Sequence, residues 1–237
     1  MRRVQFADGE YYHVYNRGVE KRDVFGARAD YERFLFGLYA LNDRRPFLNS
    51  QYHYRGLTSI ERLAGRVRER GAAEKRIALV DLVCFCLMPN HFHLLLRQRG
   101  DDGVSLFMQK LGTAYTMYFN EKYERSGGLF QGTYKAIHVP HDRYFLPLSR
   151  YIHLNPLDVF EPRWRERGVR GSKKTHDFLF EYPWSSYADY VNRPRYPLLL
   201  DAVLIRGLVG GPGQYQEYVE AYRPAEATNI SPFTIEV

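Results

Sequence analysis

Two histidines separated by one phenylalanine lie inside an apolar run, Leu87-Met88-Pro89-Asn90-His91-Phe92-His93-Leu94-Leu95-Leu96. In an extended strand, residues i and i+2 share a face. His91 and His93 therefore project together, and Phe92 and Leu94 face the other way. Two imidazoles on one strand begin a divalent-metal site. A third ligand and an open position for substrate are needed to finish it. The segment Leu148-Ser149-Arg150-Tyr151-Ile152-His153-Leu154-Asn155 offers both a ligand and a reacting group. Tyr151 and Asn155 are four apart and share a helix face. The carboxamide oxygen of Asn155 suits Mg²⁺ or Mn²⁺ beside two imidazoles. A phenol one turn away would then be a metal-assisted nucleophile: the cation polarises a phosphate, and the phenolate attacks phosphorus to give a covalent intermediate.

The tyrosine assignment is selective, because the chain holds 20 tyrosines. Tyr115 and Tyr118 are the rivals, since both follow the histidine pair on a helix. Their spacing fits a core-facing stripe, and Phe119 stands one turn after Tyr115 where a carboxamide is wanted. A free phenol titrates near ~10, so Tyr151 needs activation at neutral pH. His153 lies two residues from Tyr151, on another helix face, and reads as structural or as facing the phosphate-bearing partner.

These residues need a scaffold. Residues 10–16 alternate and are rich in strand formers, giving a first strand. Asp30 is a plausible N-cap for a helix to about Asn42, with Phe34, Leu35, Leu38 and Leu41 as its apolar face. Residues 43–77 read as a polar insertion with one arginine-rich helical stretch at 59–70. Residues 77–87 are nearly continuous in apolar side chains, as in a central strand. Met88-Pro89-Asn90 turns the chain into an antiparallel third strand, 91–97. A helix over 104–122 ends at Ser126-Gly127-Gly128, and a fourth strand spans 129–139. Asp142 opens the tyrosine helix, which Pro147 should kink. Strand, helix, strand, strand, helix, strand is the ferredoxin-like split βαβ plan, an α+β fold with a four-stranded antiparallel sheet. The tyrosine helix and a C-terminal extension are added to it. Two units are expected: residues 1–160, carrying the site and the insertion, and residues 161–237, a basic loop followed by short helices.

The charge balance points to a partner. A formal net charge of +7, with 20 Tyr and 15 Phe, suits a phosphate backbone and unpaired bases to stack on. The basic run Arg163, Arg165, Arg167, Arg170, Lys173 and Lys174 is the segment outside the core best suited to phosphates, although a solvated loop explains it as well. No apolar run approaches the ~20 residues of a membrane span, and the N-terminus lacks a signal core. Cys84 and Cys86 read as reduced core residues of a cytoplasmic protein. Trp184 is expected to pack against the body, and the last fifteen residues to be loosely held.

Several segments together resemble the REP-associated tyrosine transposases, within the single-tyrosine HUH transposases and nucleases. They are 88–93 (MPNHFH) and 150–156 (RYIHLNP), with 13–18 (HVYNRG), 129–135 (LFQGTYK) and 182–186 (YPWSS) in the same order. The resemblance spans residues 8 to about 190. It implies His91 and His93 as metal ligands, Asn155 as the polar third ligand and Tyr151 as the nucleophile. It also implies cutting of single-stranded DNA folded as hairpins from imperfect palindromes, a 5′-phosphotyrosine intermediate, and reversal by strand transfer. Arg17, Tyr134 and Lys135 fall in matching segments and are candidate DNA contacts. The implied setting is the cytoplasm, at the nucleoid, with the protein a monomer or a homodimer. Pro147 and the 43–77 insertion depart from the pattern.

Other readings have specific obstacles. Histidine-triad nucleotide hydrolases need a third histidine where Leu95 stands. A zinc hydrolase needs a carboxylate base near the pair, and none is evident in the sequence. A domesticated, non-catalytic hairpin-binding protein would keep the fold without turnover.

Overall fold

The computed structural model describes residues 4–45, 76–140, 142–169 and 173–229. The helical stretch expected at 59–70, and Arg170, lie outside the described residues. Four strands form one antiparallel sheet: β1 (Tyr11–Arg17), β2 (Val80–Met88), β3 (His91–Gln98) and β4 (Lys135–His138), in the spatial order β2-β3-β1-β4. Helices α1 (Arg28–Ala40) and α2 (Gly103–Lys122) are the crossovers, which completes the expected split βαβ arrangement.

The sheet separates two cores, and the alternation along β3 is why. Phe92, Leu94 and Leu96 join Phe34, Leu38, Phe107, Leu111 and Tyr115 of α1 and α2 on one face. Leu95 faces the other core with Cys84, Cys86 and Met88 of β2. A register shift between Leu82 and Cys84 lets Val83 and Cys84 face the same core in succession. Each fully buried Leu or Phe here contributes about 1.5–3 kcal/mol of transfer free energy. Both cysteines are buried and unpaired, and burial pushes both thiols well above their ordinary values.

The second core is closed by α3 (Asp142–Leu154), which carries Tyr151, and by the C-terminal elements. These are α4 (Leu157–Phe160), α5 (Trp164–Arg167), α6 (Lys173–Glu181), α7 (Tyr187–Tyr190), α8 (Val203–Val209) and α9 (Pro212–Glu220). Residues 184–186 run along the free edge of β2: Leu87 N–H donates to the Trp184 carbonyl and Ser186 N–H to that of Phe85. That contact covers an edge which would otherwise present unpaired backbone groups. Trp184 stacks on Tyr31 with ring centroids 4.4 Å apart, packed as expected.

Four local expectations need correction. Asp30 is not the N-cap of α1. It lies two residues inside the helix, and its Oδ2 accepts from Gly26 N–H and Ala27 N–H. Burial alone would raise its pKa, but donors from Lys122, Tyr123, Ala27 and Tyr118 hold it below the usual carboxylate value. The fourth strand is only four residues long. Gly132 takes a left-handed φ of 111°, Phe130 keeps a single bridge to Gly18 and Gln131 N–H still donates to the Arg17 carbonyl, so residues 132–134 leave the ladder. The stretch 161–174 is not one loop: Trp164 is buried and anchors α5, and α6 begins at Lys173. Nor is the chain after residue 222 all loosely held, since Glu226 forms an ion pair with Arg150. Pro147 cannot donate to a carbonyl one turn back, yet α3 continues through it as a single helix.

Candidate active site

The sheet brings His91 and His93 of β3 to the face on which α3 lies, and Tyr151 of α3 lies over His93. The His91 and His93 ring centroids are 5.0 Å apart, and those of His93 and Tyr151 5.5 Å. All three side chains are buried. Asn155, one residue past the end of α3, is fully buried and donates from Nδ2 to the Tyr151 carbonyl at 2.8 Å. That bond fixes the carboxamide, so Oδ1 is the atom it presents to the site. Strand and helix thus collect His91, His93, Tyr151 and Asn155 within one chain.

The imidazoles are prepared on one nitrogen and open on the other. His91 Nδ1 lies 2.6 Å from Asn90 Oδ1, an acceptor only, so Nδ1 carries the proton. His93 Nδ1 lies 3.0 Å from Nε2 of His13, a buried β1 residue whose ring stacks on that of His93 with 14° between planes. Nε2 of His91 and Nε2 of His93 are both buried, with no hydrogen-bond partner among the described residues. A buried nitrogen without a partner is costly unless something binds it. Burial pushes the His91 pKa down to about 4, with the charges of Arg17 and Arg165 acting the same way and Asp158 and the neighbouring Asn155 carboxamide opposing. Burial pushes His93 well below its ordinary value, helped by His91, His13 and the same two arginines. Both rings are therefore neutral near pH 7, each with a lone pair on Nε2 under the Nδ1-H assignment. That donor set fits a divalent cation, and the outer partners are of the type that orient metal-binding imidazoles. Among the described residues, no three His, Cys, Asp or Glu side chains are grouped to hold a metal, so a third protein ligand would have to be of another type, such as a carboxamide oxygen.

Three groups at this site escaped the sequence reading. His13 is one. Asp158 is another: Oδ1 accepts from Trp164 Nε1 at 2.7 Å, and Oδ2 accepts from Arg165 Nη2 at 2.8 Å. Asp158 is the nearby carboxylate that the sequence did not reveal, and both its oxygens are engaged. The third is the actual position of Arg165. Its Nη2 also donates to Asn155 Oδ1 at 3.2 Å, and its guanidinium carbon lies 5.3 Å from the Tyr151 ring centroid.

The remaining candidates are dispersed. Arg17 pairs in register with His91, and its buried Nε has no hydrogen-bond partner among the described residues. Lys135 is exposed on β4, with its ammonium 6.0 Å from the Tyr15 ring, and Tyr134 precedes it, partly buried. Arg163 pairs with Glu166 and Lys173 with Asp177, all solvent-facing, and Arg167 and Lys174 are also exposed. His153 is buried between Tyr215 Oη at 2.6 Å and Ser186 Oγ at 2.8 Å, so it is structural. Tyr115 donates to the Val24 carbonyl in the opposite core, far from the histidine pair in function and face.

Residues 49–155 match the family model described as Transposase IS200 like. This central segment, under half of the chain, is similar to the IS200-like transposases. It contains the histidine pair and ends at Asn155. No curated protein matches the chain. A solved structure described as "Structure of the REP associates tyrosine transposase bound to a REP hairpin" aligns with a TM-score of 0.47 and 13% identity, covering 84% of this chain and 88% of that one. No helix among the described residues is long and apolar enough to cross a membrane.

Proposed function

We propose that the protein is a tyrosine DNA endonuclease and strand transferase acting on single-stranded DNA that folds into hairpins. The observation that carries this reading is the buried contact of Tyr151 with His93, beside two imidazole nitrogens that have no hydrogen-bond partner among the described residues. Packing alone would not leave both nitrogens without partners. The IS200-like family match supports the transposase class, and the hairpin form of the substrate follows the resemblance of segments 88–93 and 150–156.

In this reading, His91 Nε2, His93 Nε2 and Asn155 Oδ1 hold Mg²⁺ or Mn²⁺. The bound cation would polarise the scissile phosphate and offset charge developing on it. Tyr151 Oη forms the new bond to phosphorus and loses its proton to solvent. The P–O3′ bond breaks, and the departing 3′ oxygen takes up a proton, leaving a 5′-phosphotyrosine and a free 3′-OH. Attack by a second 3′-OH on that ester reverses the bond changes and joins strands. The nucleophile acts in its own subunit, a reading supported by the 5.5 Å ring separation within one chain. Residues 1–160 are the catalytic unit, and residues 161–237 support the site through Trp164 and Arg165.

The test is Tyr151→Phe with a labelled hairpin oligonucleotide and Mn²⁺. The variant should bind DNA as the parent does and yield no protein–DNA adduct on a denaturing gel. An adduct persisting in that variant would remove Tyr151 from the mechanism. Binding without cleavage by the unaltered protein would favour the non-catalytic reading.

A further inference from the structure

Arg165 stands in an unexpected place for a residue of a basic surface run. It lies on the four-residue helix α5, directly after the buried Trp164, with a side chain about three-tenths exposed. Its guanidinium is fixed from three sides: by Asp158 Oδ2, by Asn155 Oδ1, and by the faces of Tyr151 and Trp164, whose ring centroids are 5.3 and 4.4 Å from its central carbon. Asn155 Oδ1 is the oxygen the proposed function assigns to the cation. A guanidinium resting on it places a positive charge against that position. A permanent resident there would oppose metal loading. A planar guanidinium is also the side chain best matched to a phosphate, and a phosphodiester is the one anion the proposed reaction brings in.

We propose that Arg165 is the phosphate-receiving residue of this site, parked on Asn155 and Asp158 until a DNA phosphate draws it away, so that metal and DNA load cooperatively. This rests on the proposed function and adds to it an order of assembly. The backbone phosphate takes the Nη2 N–H that Asn155 Oδ1 was accepting, and the carboxamide oxygen is freed for the cation. Asp158 keeps its bond to Trp164 Nε1 and holds α5 in place throughout. By linkage, whatever factor DNA gains from metal, metal gains from DNA.

The experiment is a calorimetric Mn²⁺ titration of the full chain without DNA, for the parent protein, Arg165→Gln, Arg165→Lys and His93→Ala. Arg165→Gln removes the charge but keeps a donor, and should bind Mn²⁺ about tenfold more tightly. Arg165→Lys keeps the charge and should remain near the parent, which separates charge from folding. In metal-free buffer, Arg165→Gln should also bind an oligo-dT strand more weakly, with the slope of log K against log salt shallower by about 0.7. Mn²⁺ affinity that depends on His93 but is unchanged or weakened in Arg165→Gln overturns the proposal and leaves the metal site standing. Mn²⁺ affinity indifferent to His93→Ala overturns the metal site itself, and this inference with it.

Discussion

Two buried histidine clusters flank the tyrosine helix, and they are wired in opposite ways. At His153 both ring nitrogens have hydroxyl partners, Tyr215 Oη and Ser186 Oγ, one ring nitrogen donating and the other accepting, and Ser149 Oγ and the Phe85 carbonyl lie within hydrogen-bond distance of those hydroxyls. This network clamps α3 and α9 to β2. At His91 and His93 the Nδ1 atoms are engaged, and among the described residues neither buried Nε2 has a hydrogen-bond partner. Burial depresses the pKa in both places. The difference lies in satisfaction rather than in exposure. A closed network stabilises the fold, and an open pair carries an unmet demand that a ligand can fill.

The largest expected effect follows from that contrast. His93→Ala should lose Mn²⁺ binding and covalent adduct formation to below detection, while keeping a cooperative thermal transition. His153→Ala should keep Mn²⁺ affinity within twofold. Equal loss of metal binding in the two variants would erase the distinction between the clusters.

Acid sharpens the comparison. Unfolded histidines protonate near pH 6.5, whereas His91 in the fold resists until about 4 and His153 until about 3. Below pH 6.5 the unfolded chain therefore takes up protons that the folded chain refuses, and stability falls with pH through that window. For His91 the loss by pH 4 is on the order of 3 kcal/mol. Mn²⁺ should raise the melting temperature at pH 7.5 and still at pH 5, where His91 in the fold is unprotonated, and lose its effect below about pH 4, where protons compete for the open nitrogens. His91→Gln should flatten the acid limb measured without metal, and a melting-temperature profile unchanged in that variant would contradict the assignment. The satisfied cluster gives a different result: His153→Ala should cost about 2–4 kcal/mol at every pH above 6.5, by stranding Tyr215 and Ser186 around a cavity. Chemical denaturation measures it.

How much of this was readable in the sequence depended on whether the information was local. Alternation along 91–96 assigned each side chain to its face, and the four-residue spacing put Tyr151 and Asn155 on one side of a helix. The ferredoxin-like order followed from the sequence of strand and helix patterns. The bounds of β4 did not, because Gly132 breaks a run whose residue types all suit a strand. Arg165 and Asp158 were out of reach for another reason. Their placement depends on Trp164 burying itself and drawing α5 back onto the site, a tertiary event that a basic, polar composition conceals. His13 was the recoverable omission. The split βαβ order places β1 beside β3, and Tyr15 pairs in register with His93, so the alternate residue His13 had to share that face.

His13 also supplies the smallest and most discriminating prediction. Its Nε2 accepts from His93 Nδ1–H in the tautomer that leaves His93 Nε2 open, and the two ring planes lie 14° apart. Outer partners of this kind are worth about 10- to 100-fold in metal affinity. His13→Ala should weaken Mn²⁺ binding by that order with His91 and His93 untouched. His13→Gln, which restores an acceptor oxygen near the same place, should recover most of it. Removing bulk alone would affect both variants through packing and would register equally in the melting temperature. A specific loss in Ala with recovery in Gln, at matched stability, requires the orienting hydrogen bond. If Gln binds Mn²⁺ no better than Ala, His13 is only filling space between β1 and the tyrosine helix, and the open pair then owes its orientation to Asn90 and the strand alone.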